Sequence, residues 1–309
     1  MSMAYAVRSI SLMTLVLATA GGSISLTGCG GGGSGEASLN DQYTAALKIS
    51  DAGVKSRKLA QLAPKQKEAG DIMGADASIA SASEAARSIA DPVSKANTLV
   101  TVAAAAGKLE MSSDKIKELL KEAAATSKEI PDADARIPVL AEVATNTKLY
   151  LKNVDAAAEY LRNAEEAAES LPAPLTRAVA DAKIGASYGK IERSDDANRV
   201  FEASLAKVRA SADQREKSDC LCELAAGMAI AGMSELAAGV FSEAEQAASA
   251  IESAESKAYA YLRLAQKTKT AKLTAESGKH LAQAEKLAEQ VKDSSVRTPL
   301  TEAIEALKK

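Results

Sequence analysis

The chain has 309 residues, 38 basic and 41 acidic side chains, a formal net charge of −3, and 47% hydrophobic but only 3% aromatic content. Such a balance of charge excludes a general basic field for nucleic acid. An apolar fraction carried largely by Ala favours close-packed helices over strands.

Residues 1–28 read as an export signal. Arg8 supplies a short positive start, and Ile10 to Ala20 form an apolar run too short for a comfortable membrane span. The sequence Leu26, Thr27, Gly28, Cys29 resembles the lipobox of bacterial lipoproteins. That resemblance implies cleavage before Cys29 and acylation of its thiol and amino group. Two or three acyl chains anchor a protein stably where one is marginal. The plainer alternative is a secretory signal cleaved near Ala18 to Ala20, with Cys29 incidental. Residues 29–38 form a tether, since five glycines and Ser34 between Gly30 and Gly35 resist helix formation. The address expected is the cell envelope, lipid-anchored; in a Gram-negative cell, Gly30 rather than Asp after the cysteine points to the outer membrane, facing the periplasm.

Residues 39–309 repeat. The clearest copy is 214–253, where Leu221, Leu224, Ala225 and Met228 share one helical face and Ala237, Phe241, Ala244, Ala248 and Ile251 share another. Gly232 ends the first helix, and Ser234 is placed to cap the second. A basic residue opens each unit at Lys55, Lys95, Arg136, Arg177, Lys217, Lys257 and Arg297, at spacings of 40, 41, 41, 40, 40 and 40. Seven residues later stand Leu62, Val102, Val143, Ile184, Leu224, Leu264 and Ile304. Twenty-four residues after the anchors come Ile79, Leu119, Tyr160, Phe201, Phe241 and Leu281. A fixed period of this size is the mark of stacked helical hairpins. Leu39 to Ile49 reads as an orphan second helix. Ser294 to Lys309 reads as an orphan first helix, whose Thr301 and Glu305 suit a solvent-facing cap. Pro64 falls midway along the first helix of its unit and is expected to kink or shorten it.

These columns resemble the tetratricopeptide repeat. Gly185 and Tyr188 match its G-x-x-Y step, Ala156, Ala197 and Ala237 its small residue early in the second helix, and Phe201 and Phe241 its later aromatic. The unit departs in length, running about 40 residues rather than 34. The resemblance implies an all-α fold: a right-handed α-solenoid of about six stacked helix–turn–helix repeats with a half-repeat cap at each end.

Little in the sequence points to chemistry. His280 is the only histidine and neighbours the core column. Cys220 and Cys222 diverge by about 200° on one helix, so two small structural residues is the simpler reading. The acidic run Glu159, Glu165, Glu166 and Glu169 reads as a solvated helix face, with pairs such as Arg162 and Glu166. No catalytic, cofactor-binding or metal-binding residues are expected, and no cofactor. The resemblance implies a concave face lined by first helices. There Val100, Ala141, Ala182, Cys222 and Leu262, with Tyr259 beside them, form a small-to-apolar strip suited to a helix or extended segment of a protein partner. The function expected is a membrane-tethered interaction scaffold of the bacterial envelope, anchored through Cys29 and binding a protein. The alternatives are an envelope enzyme subunit acting near peptidoglycan and a passive spacer.

Overall fold

The computed structural model describes residues 37–308. The signal segment, the lipobox Leu26 to Cys29 and nearly all of the tether lie outside the described residues. Within them the chain forms 14 helices. An opening helix α1 (Leu39–Leu47) precedes six hairpins. These are α2 (Ala52–Glu68) with α3 (Ile72–Arg87), α4 (Pro92–Lys108) with α5 (Ser113–Ser127), α6 (Ala133–Leu151) with α7 (Val154–Glu169), α8 (Pro174–Lys190) with α9 (Ser194–Arg209), α10 (Gln214–Ile230) with α11 (Ser234–Ser249), and α12 (Ala254–Thr270) with α13 (Thr274–Ala288). A closing helix, α14 (Ser294–Lys308), completes the array. Even-numbered helices pack side by side in one row, and each odd-numbered helix packs on its own partner and on the following first helix. This is an all-α solenoid of helix–turn–helix repeats, with half-repeats at both ends. In α14 Leu300 and Ile304 are buried, while Thr301 and Glu305 face solvent as a cap requires.

The start signals are mostly local. Asp51, Asp71, Asp91, Asn153, Asp213 and Ser253 accept backbone N–H bonds at helix N-caps, and Pro92 and Pro174 open α4 and α8. Ser234 does not cap α11; Met233 occupies that place without a side-chain bond, and Ser234 is the first helical residue. Pro64 does not shorten α2, which runs 17 residues like α4, α8, α10 and α12.

Hairpin turns repeat a single device. Gly70, Glu110, Lys152, Glu192, Gly232 and Lys272 all adopt positive φ, between 55° and 86°. At five of them the next residue donates back to a carbonyl in the last turn, as in Arg193 N to Tyr188 O at 2.9 Å and Leu273 N to Thr268 O at 2.8 Å.

The two long spacings have a structural explanation. Met111 intervenes between left-handed Glu110 and the N-cap Ser112, whereas Asp71 follows Gly70 directly. In the next unit α6 runs 19 residues instead of 17. Each extra residue turns the following second helix by about 100° relative to a count from the anchor. Counted from the N-caps, the core column is therefore Ile79, Leu120, Leu161, Phe201, Phe241 and Leu281. Leu161 is fully buried and Tyr160 is half-buried, so Leu161 takes the place the anchor count gave to Tyr160. Ala157 likewise replaces Ala156 as the small buried residue of α7.

The core divides at α6. Its Val139 and Val143 join the apolar cluster of the earlier helices, while Ile137, Leu140, Ala141 and Ala144 join that of the later ones. A first helix is flanked on both sides and backed by second helices, so it buries apolar residues nearly all round.

Candidate functional site

The five-residue strip is not an open surface. Val100, Ala141, Ala182, Cys222 and Leu262 are all buried, between 0% and 7% exposed. They lie along the seam between neighbouring first helices. A β-carbon added at Gly227 of α10 would come 2.6 Å from the carbonyl oxygen of Ala182 on α8. At the α8–α10 seam the small Ala182 answers a close approach of two backbones, a requirement of packing rather than of a ligand, and the larger Val100 and Leu262 at the same offset are buried as well. Tyr259, the sixth residue of the candidate face, is half-buried.

One helical step round from that seam, the first helices do reach solvent. On α8, Val179 is 38% exposed and Lys183 is exposed. On α12, Arg263 and Lys267 cross to α10: Arg263 Nε lies 3.2 Å from Asp219 Oδ1, and Lys267 Nζ lies 2.6 Å from Glu223 Oε2. Arg263 Nη1 reaches the other Glu223 oxygen at 3.3 Å. The surrounding protein desolvates this face. Burial pushes the Asp219 carboxyl above its ordinary range, with the Arg263 guanidinium pulling the other way. Lys183 reaches water, yet desolvation holds its ammonium below the usual lysine range, with Glu142 opposing. Charges that are ordered and partly stripped of water lose less on meeting a partner than free surface charges do.

The other singled-out residues are structural. Cys220 and Cys222 are buried free thiols; burial pushes Cys220 up to about 12 and Cys222 well above its ordinary value, which keeps both unreactive. Among the described residues no three His, Cys, Asp or Glu side chains come together as a metal site. His280 is a core residue, 5% exposed, with its ring 6.2 Å from that of Tyr261. Of the acidic run, Glu165 is tied down: it accepts the Tyr188 hydroxyl at 2.6 Å and two Arg199 bonds at 2.8 Å. Glu159, Glu166 and Glu169 are exposed. The anchor count missed the Asp219–Arg263–Glu223–Lys267 cluster, although acid on one first helix facing base 44 residues on was a readable signal. No described helix is long and apolar enough to cross a membrane.

No family model and no curated protein matches the sequence. Among solved structures the fold is similar to Ton1535 from Thermococcus onnurineus NA1, at 13% identity and a TM-score of 0.39, over 86% of this chain and 94% of that one. It is also similar to a kinesin light chain protein of Podosopora anserina with nearly identical TPR-like repeats, at 16% identity and a TM-score of 0.33, over 66% of this chain and all of that one. A third similar structure is a Rap protein complexed with Competence and Sporulation Factor, at 14% identity and a TM-score of 0.33, over 87% and 78% of the two chains.

Proposed function

We propose that this chain is a protein–protein interaction scaffold, held at the cell envelope by lipid on Cys29 and binding a protein segment across the exposed side of its central first helices. The observation that carries the binding half is the partly desolvated charge on α8, α10 and α12: Lys183, then Asp219, Glu223, Arg263 and Lys267 in mutual contact. Val179 and Tyr259 supply apolar area beside it. A segment of mixed charge with apolar anchors has the complementary chemistry. The lipobox residues Leu26, Thr27, Gly28 and Cys29 support the anchor, and in a Gram-negative cell the address is the outer membrane, facing the periplasm.

A photo-crosslinking side chain at Val179, in the acylated protein in its own envelope, tests the binding face. Met73, 85% exposed on α3, serves as control. A discrete adduct from Val179, lost in Lys183→Glu and absent from Met73, is the expected result. Adducts identical at both positions would remove the claim for this face. The address is tested separately by Cys29→Ser, which should leave the precursor unacylated and release it from membranes in a carbonate wash. Undiminished membrane binding by that variant would eliminate the lipid anchor while leaving the crosslinking result intact.

A further inference from the structure

A cleft of about 230 Å³ opens between α5, the end of α6 and the start of α7, and the repeat supplies an internal comparison for it. In the following unit Tyr188 of α8 fills the corresponding place, donating its hydroxyl to Glu165 of α7 at 2.6 Å. Beside it Arg193, at the N-cap of α9, pairs with Asp196 at 2.8 Å and Asp155 at 3.6 Å. At the equivalent positions one unit earlier every one of these side chains but Asp155 is shortened. Tyr188 becomes Thr147, Arg193 becomes Asn153, Asp196 becomes Ala156 and Glu165 becomes Ala124. Asp155 alone keeps its type, as Asp114. Thr147, Asn153 and Ala156, three of the shortened positions, line the cleft, while Tyr160, standing where the next unit has Val200, forms part of its wall.

Its chemistry is uneven. Thr147 is 2% exposed, and its Oγ1 is buried without a hydrogen-bond partner. A buried hydroxyl left unpaired is unfavourable, and a ligand atom that reaches it relieves that penalty. Leu120 and Leu151 give the lining an apolar side. Lys117 and Lys121 line it against the single carboxylate of Asp114, where the next unit has Ala158 and Arg162. The groups missing relative to that unit are a phenol ring, the carboxylates of Glu165 and Asp196, and the guanidinium of Arg193; with Lys117 and Lys121 left beside one carboxylate, the charge that remains favours an anionic group with the ring. The space is sufficient, since a dry cavity of about 150 Å³ already holds benzene.

We propose that this cleft binds an aromatic ring bearing a carboxylate, with the ring where Tyr188 lies in the next unit, a polar atom on the Thr147 hydroxyl, and the carboxylate facing Lys117 and Lys121. A free aromatic acid and the C-terminal aromatic residue of a protein share this chemistry. The site is on the second-helix side of the array, so it is independent of the first-helix face proposed above.

The experiment titrates the full chain with N-acetyl-tyrosine, its amide, a short peptide ending in tyrosine, and that peptide's amide, following backbone amide shifts of Asn153 and Ala156. Both carboxylates should bind saturably and move those resonances, with the amides at least about tenfold weaker, the loss expected for a charge-assisted contact. Tighter binding of the peptide assigns the source as a protein C-terminus; equal affinity assigns a free acid. Thr147→Tyr restores the ring of the next unit and should abolish binding of both. Lys117→Gln with Lys121→Gln, both exposed positions, should lower carboxylate affinity to that of the amides even if Thr147→Tyr fails to fold. Absence of saturable binding, equal affinity for acid and amide, or native affinity in Thr147→Tyr would overturn the proposal.

Discussion

Gly227 of α10 lies against the backbone of Ala182 on α8, close enough that a β-carbon there would meet the Ala182 carbonyl oxygen at 2.6 Å and its Cα at 2.9 Å. Both contacts are with a helix backbone, which cannot swing aside as a flexible side chain could. In an isolated helix Gly→Ala is stabilising by about 1 kcal/mol. Here the sign should reverse. Gly227→Ala should cost about 1–3 kcal/mol, the usual penalty of overpacking, seen as a lower urea midpoint at unchanged slope. A gain in stability would mean that α8 and α10 have room to part, and that the seam is looser than the structure has it.

The hairpin turns give a matched pair of substitutions. Gly232 and Lys272 occupy the same left-handed position, with φ of 86° and 62°, and both carry the pair of back-bonds that ends the first helix. A residue with a β-carbon is strained in that region by about 1–2 kcal/mol, an effect partly offset because glycine is freer when unfolded. Lys272→Gly should therefore raise stability, and Gly232→Ala should lower it, each by about 1 kcal/mol. Thermal unfolding of the two variants against the native chain checks both signs at once.

Architecture was legible in the sequence because a repeat writes the same packing problem six times. The basic anchors, the Leu and Val column seven residues on, and the polar residues of the last half-repeat all survive in the structure. What the period could not locate was each extra residue. Spacings of 41 say that a unit is longer, but not whether the addition sits before or after the second helix. The answer decides which of two adjacent residues faces inward. Met111 and the longer α6 place both additions before the second helix, moving Leu120 and Leu161 into the core column. The binding strip failed for a related reason. Small residues at one offset are needed both in a groove and at a helix–helix seam, and composition does not separate the two. Burial does, with Cys222 at 0% and Ala182 at 6%.

The register is itself testable. Leu161 is fully buried, whereas Tyr160 is half-buried and keeps part of its ring in water. Leu161→Ala should cost about 2–5 kcal/mol and Tyr160→Ala distinctly less, despite the larger side chain removed. Because a solenoid's stability is a sum over units and interfaces, hydrogen exchange in Leu161→Ala should quicken most in α6, α7 and α8. If Tyr160→Ala were the costlier change, the column would run as the anchor count has it.

His280 provides a pH test free of competing histidines, since the chain has no other. It stands where the two preceding units have Val200 and Val240, inside α13 and 5% exposed. Its Nδ1 is buried without a partner, and its Nε2 is 3.6 Å from the exposed Glu245 carboxylate. Desolvation lowers its pKa from 6.5; Glu245 and Glu276 oppose that shift, and Lys279 adds to it. The unfolded chain therefore takes up the proton more readily than the folded one. The neutral ring's contribution to stability is fully present above pH 6.5 and is lost as pH falls through the folded value. In His280→Val, the residue of the neighbouring units, this loss should disappear. Urea unfolding at intervals from about pH 7.5 to about 5.5 should show native stability falling relative to the variant at the acid end. Parallel curves for the two proteins would mean that the ring protonates as easily in the fold as outside it, and that the exposed Glu245 outweighs the loss of water.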